Sequence, residues 1–156
     1  MNYDIHVKQV APQVIASERR HTALAEIGNV MHSTLANIAT SVHPPDAMQG
    51  APFAIYYNEP FKPDDIDVEL GLPIAPTATV DQTARVHRRE LSGGPVAFTF
   101  HVGPYETIGA AYAALYDWVK LHGHKTLGPP REIYLVGPGQ DRKPSEYRTE
   151  IDIPID

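Results

Sequence analysis

The segment IDVELGLPI at residues 66–74 returns as YRTEIDIPI at residues 147–155. Both end on a proline and an isoleucine, Pro73-Ile74 and Pro154-Ile155, and both carry a glutamate four residues before the proline, Glu69 and Glu150. A second pair lies upstream. PFAIYYNEP at 52–60 and PREIYLVGP at 130–138 share an isoleucine-tyrosine step, Ile55-Tyr56 and Ile133-Tyr134. Each segment is short, rich in β-branched and aromatic residues and bounded by turn formers, which is the pattern of a strand.

Working outward, each half opens with two strand candidates around a turn. Tyr3 to Val10 and Val14 to Arg20 flank Ala11-Pro12-Gln13, and Ala84 to Leu91 and Val96 to His101 flank Ser92-Gly93-Gly94-Pro95, so both read as hairpins. A helical period follows each: Leu24, Ile27, Met31, Leu35 and Ile38 in one half, Ile108, Tyr112, Leu115 and Val119 in the other. The matched elements recur at a spacing of about 80 residues, the mark of internal duplication. The reading is one domain over 1–156, made of pseudo-repeats 3–74 and 84–155 joined by the linker 75–85. Strand, strand, helix, strand, strand, given twice, predicts an α+β fold with mainly antiparallel pairing and the helices on one side of the sheet.

The bulk properties narrow the classes of function. A chain of 156 residues with 42% hydrophobic content supplies one substantial core. Cysteine is absent, which removes disulfides, thiolate metal sites and cysteine nucleophiles. The formal net charge is -6, and the short basic pairs Arg19-Arg20 and Arg88-Arg89 fall in strand candidates, so direct nucleic-acid binding is not expected. The opening MNYDIHVKQV lacks the apolar run of a signal peptide, and no stretch approaches the ~20 apolar residues of a membrane span. The expectation is a cytoplasmic protein away from membranes.

Val96 to Gly123 reads VAFTFHVGPYETIGAAYAALYDWVKLHG, a strand running into His101-Val102-Gly103-Pro104-Tyr105 and then a helix with Ile108, Tyr112, Leu115 and Trp118. Together with the closing strand Tyr147 to Ile155 and its glutamate, this resembles the GyrI-like small-molecule-binding domain family, the effector-binding domain of bacterial multidrug-responsive regulators. The resemblance covers essentially the whole chain. It implies duplicated β-α-β-β (SHS2-like) units forming a curved sheet, with an effector pocket between the two halves. Some relatives sense ligands for transcription regulators, some stand alone as inhibitors or protectors of DNA gyrase, and others hydrolyse reactive cyclopropane-bearing compounds. With no room for a helix-turn-helix domain before Met1 or after Asp156, the expected form is standalone. The expected partner is a small aromatic or cationic molecule; DNA gyrase or a regulator is a further candidate, and a monomer and a homodimer both stay open.

The family's carboxylate on the matching strand falls on Glu150, where it would offset a ligand cation whose desolvation is otherwise costly. Strand alternation places Glu150 with Arg148 and Asp152, which is equally the pattern of a solvated face. Glu69 is its duplicate. Tyr56, Tyr134, Tyr112 and Trp118 offer flat rings for stacking or cation–π contact, or else ordinary core packing. Phe53 and Tyr147 border strand ends and are candidates for a pocket mouth. Tyr105 follows a turn that reads as structural, with Gly103 taking the bend, yet it could reach the same site. Should the chain be a hydrolase, Glu150 with Tyr112 or Tyr134 would supply the acid–base chemistry. No cofactor motif occurs: His122-Gly123-His124 is the nearest histidine pair and lacks a helical glutamate, Gly137-Pro138-Gly139-Gln140 lacks the lysine of a phosphate loop, and G-x-S-x-G is absent. Neither a metal nor a cofactor is expected.

Overall fold

The computed structural model describes residues 2–58 and 61–156, so Glu59 and Pro60, the end of one strand candidate, lie outside the described residues. In chain order the strands are β1 (His6–Val10), β2 (Gln13–Thr22), β3 (Val42–His43), β4 (Phe53–Tyr56), β5 (Ile66–Pro73), β6 (Thr79–Val80), β7 (His87–Leu91), β8 (Gly94–Val102), β9 (Arg131–Val136) and β10 (Arg148–Pro154). Helix α1 (Ile27–Ser41) precedes β3, and α2 (Gly109–Leu121) precedes β9. The fold is α+β with antiparallel pairing and two helices, as the duplicated pattern predicts.

The chain divides into two compact units, one formed by the segment ending at Ala11 with Gly93–Asp156, the other by Pro12–Ser92. In the first unit the strands run in the order β1, β8, β10, β9. Alternation along β10 puts Ile151 and Ile153 on one face, where they meet Ala97 of β8 and Ala111, Leu115 and Val119 of α2, all no more than 3% exposed. The periodic apolar stripe of α2 is therefore its buried face, and each large side chain placed there contributes roughly 1.5–3 kcal/mol. Arg148, Glu150 and Asp152 occupy the opposite face of β10.

In the second unit the order is β4, β5, β2, β7, with α1 packed over β5 and β2. Thr34 and Ile38 are buried on α1, one turn apart, whereas Leu24 at the head of the periodic stripe is 51% exposed in a short 3-10 turn. The linker segment is ordered within this unit: β6 pairs with β3, and Arg88 donates from Nε to the Ala78 carbonyl at 3.1 Å and from its terminal nitrogen to that of Pro76.

The two expected hairpins do not form. β1 pairs with β8 in the register Val7↔Ala97, and β2 pairs with β7 in the register Ile15↔Arg89. Ala11-Pro12 separates β1 from β2, and the two-residue turns that fold a strand back on its neighbour need φ above zero at the first central position, which alanine resists. At that junction the chain runs on; β7 and β8, joined through Ser92-Gly93, also pair with strands other than each other.

A tyrosine-bound carboxyl on strand β9

Alternation along β9 sends Glu132 and Tyr134 to one face and Arg131 and Ile133 to the other. The register decides which is which: Glu132 faces Ile151, a core residue under α2, and Tyr134 faces Thr149. The helix supplies the next contact. Tyr112, on the inward stripe of α2, donates its hydroxyl to Glu132 Oε2 at 2.5 Å, and Tyr134 donates to Oε1 at 3.0 Å. Tyr105, from the turn before α2, sets its ring 5.8 Å from Tyr134 and 5.4 Å from Tyr147. One carboxyl and four tyrosines thus gather on the helix-facing side of this unit.

Burial dominates the electrostatics. Glu132 is 8% exposed, and desolvation pushes its pKa above the usual carboxylate range, against the two hydroxyls that favour the ionised form. Tyr105 is pushed up to about 12 by burial, with the neighbouring Tyr147 and Glu132 adding to the shift. Thr149, between Tyr134 and His101 in the strand register, is fully buried, and its hydroxyl has no hydrogen-bond partner.

The other buried carboxylates differ in kind. Glu18 lies 2.9 Å from Arg20. Glu69 receives Arg89 through two nitrogens at 2.6 and 2.8 Å, together with the hydroxyls of Ser17 and Tyr57, and these bonds outweigh burial to hold its pKa down at about 2. Glu150 lies 2.6 Å from Lys8 Nζ, which also sits 4.3 Å over the Phe98 ring. Asp152 shares the face of Glu150, and burial and that neighbouring charge push its pKa up. Among the described residues, Glu132 is the buried carboxyl whose partners are neutral hydroxyls alone.

The structure thus brings together Tyr105, Tyr112, Tyr134 and Tyr147 but seats Glu150 on the other face of the sheet, away from Tyr112 and Tyr134. Trp118 stacks on His122 at 4.0 Å, with His124 at 6.0 Å, beyond the first turns of α2 where Tyr112 lies. Tyr56, Phe53 and Glu69 belong to the second unit; Tyr56 is half-buried, and Phe53 is 5% exposed against Gly71. A shallow surface cavity of about 570 Å³ along Pro76–Arg88 is lined by His87 but by no tyrosine, phenylalanine or tryptophan. No group of three metal-ligating side chains occurs among the described residues, and none of their helices is long and apolar enough to cross a membrane.

Glu132 is the residue that sequence reasoning missed. Matching Ile133-Tyr134 to Ile55-Tyr56 places Glu132 against Ala54, which is fully buried. A carboxylate at a position whose duplicate is a core alanine was the available signal.

A family model matches nearly the whole chain, and solved structures share its fold. The model of the GyrI-like small molecule binding domain matches residues 3–156. The C-terminal domain of EcmrR is similar at 19% identity and a TM-score of 0.87, covering all of this chain and 99% of that one. Against EcmrR in its complex with DNA the same fold covers 99% of this chain but 57% of that chain. A hydrolase from Listeria innocua aligns at 14% identity with a TM-score of 0.75, over 97% of this chain and 91% of its own. SAV2435, solved bound to tetraphenylphosphonium, aligns at 13% identity with a TM-score of 0.61, over 100% and 94%. No curated protein sequence is significantly similar.

Proposed function

Because the chain belongs to the GyrI-like small-molecule-binding domain family, we propose that it binds aromatic, cationic small molecules at Glu132 and the surrounding tyrosines, as a sensor or sequestering protein. The observation that carries this reading is the hydroxyl-only coordination of a buried carboxyl. An isolated buried charge is costly, so the site favours whatever brings the missing positive charge with an apolar surface. Tetraphenylphosphonium, found on SAV2435, has that character: a dispersed cation wrapped in aromatic rings. Tyr105, Tyr134 and Tyr147 offer ring faces and edges for such a surface.

Isothermal titration with tetraphenylphosphonium tests the assignment. Removing one partner of a buried charge pair costs ~2–5 kcal/mol, so Glu132→Gln is expected to weaken binding by about thirtyfold or more. Glu150→Gln, on the other face and already paired with Lys8, is expected to stay within about threefold. Wild-type affinity in Glu132→Gln would overturn the reading, and a loss confined to Glu150→Gln would move the counter-charge to Glu150.

A hydrolytic role is favoured by one feature of the same site. A carboxyl with a raised pKa beside tyrosine hydroxyls is suited to donate a proton to a leaving atom. Incubation with a cyclopropane-bearing alkylator, followed by product analysis, should then show a ring-opened hydrate that Glu132→Gln does not form. Recovery of unchanged compound would leave binding as the function.

A further inference from the structure

We propose that His101 is a positioning residue for this site, holding the turn that presents Tyr105, with Tyr3 of the N-terminal segment as part of the same clamp. The proposal rests on the Glu132 reading above. His101 is fully buried, yet both ring nitrogens are engaged. Nδ1 lies 2.9 Å from the Tyr3 hydroxyl, and Nε2 lies 3.1 Å from the Pro104 carbonyl and 3.0 Å from Thr107 Oγ1. A carbonyl oxygen only accepts, so Nε2 carries the proton and Nδ1 accepts from Tyr3. Thr107 also donates to the Pro104 carbonyl, at 2.9 Å. The residue immediately before Tyr105 is thereby tied to the floor of the sheet.

Three further observations converge on Tyr105. The Gly103 N–H donates to the Tyr147 carbonyl at 2.8 Å, which ties the turn to the residue whose ring faces Tyr105. Gly103 has φ 130°, a conformation that side chains resist, so the turn depends on glycine there. A Cβ at Gly137 would lie 3.0 Å from the Tyr105 hydroxyl, so the ring is confined at that end as well. His101 also shares a cross-strand row with Thr149 and with Tyr134, whose ring Tyr105 meets. Without the imidazole the Pro104 carbonyl loses its link to β8, the turn gains freedom, and the Tyr105 ring is no longer held at Tyr134 and Tyr147.

The test is titration of tetraphenylphosphonium into the full chain carrying His101→Gln, His101→Met, Tyr3→Phe, Tyr105→Ala, the His101→Met/Tyr105→Ala pair and Glu132→Gln, with thermal melts to confirm folding. The glutamine amide offers an N–H near the place of Nε2, so His101→Gln is expected to bind within about threefold of wild type, whereas His101→Met, of similar size but without a donor, loses about tenfold. The double variant should lose no more than Tyr105→Ala alone, because the histidine acts through that ring. Full additivity in the cycle, or wild-type affinity in His101→Met, overturns the clamp. If His101→Met does not fold, Tyr3→Phe carries the test, with about threefold weaker binding expected and no change overturning it. Glu132-dependent binding that is indifferent to His101 and Tyr3 defeats the clamp alone. Wild-type affinity in Glu132→Gln, or no binding by the wild-type protein, defeats the site reading and the clamp with it.

Discussion

Glu132 couples ligand binding to protons. Burial raises its pKa, so in the free protein the neutral form persists to higher pH than for an ordinary glutamate. A cationic ligand pairs with the ionised form, and binding must therefore release a proton at any pH below the folded pKa. The affinity for tetraphenylphosphonium is expected to climb by up to tenfold per pH unit below that pKa and to level off above it, while Glu132→Gln gives a flat profile. Titrations in buffers of different ionisation enthalpy measure the proton release directly. A wild-type profile as flat as the variant's would show that the carboxyl does not change its charge on binding.

At the scale of elements, packing sets the tolerances. Leu115 on α2 is fully buried among Ala97, Ile151 and Ile153, so Leu115→Ala is expected to cost ~2–5 kcal/mol in chemical denaturation. On the other unit Phe53 of β4 lies across from Gly71 of β5, and a Cβ at Gly71 would come within 2.5 Å of the ring tip. The ring is 5% exposed and has little room to swing, so Gly71→Ala should destabilise by roughly 1–3 kcal/mol. Phe53→Leu in the same chain should recover part of that loss; equal stability of Gly71→Ala and wild type would show that the ring moves freely. These elements were legible because periodicity is a local signal: Leu115 and Val119 lie on one stripe whatever strand they meet. Strand partners are not local. Tyr3 to Val10 reads as half of a hairpin, and only long-range pairing sends β1 to β8. The same limit hid Glu132, since the Tyr112 that makes it a site comes from an element 20 residues away. Glu150, by contrast, stood out through duplication and alternation, and neither signal tells which face of a strand meets a helix.

At the scale of the whole molecule, the carboxylates fall into two classes with opposite effects on stability. Asp67 is held low by its bonds to Arg19, and Glu69 is held at about 2 by Arg89, Ser17 and Tyr57. For such groups the unfolded chain binds protons more readily, so their stabilisation is complete above the unfolded value near 4.5 for glutamate and is lost as pH falls towards the folded value. For Glu69 that loss falls across the window from 4.5 down to about 2. Glu132 and Asp152 have raised pKa values, and the sign reverses. Their neutral forms suit burial, so the contribution is complete below the unfolded value and declines as pH rises through the folded one. The melting temperature should therefore peak in mildly acidic solution and fall on both sides. Glu69→Gln, which gives up the Arg89 pair, should lower the peak and flatten the acid limb. Glu132→Gln should leave the acid limb unchanged, flatten the limb above the peak and equal or exceed wild-type stability at neutral pH, because an amide keeps hydrogen-bonding capacity without a charge to bury. Melts from pH 2 to 8 on the three proteins separate these effects. A Glu132→Gln protein that melts well below wild type at pH 7 would mean that the carboxylate is already ionised and stabilising there.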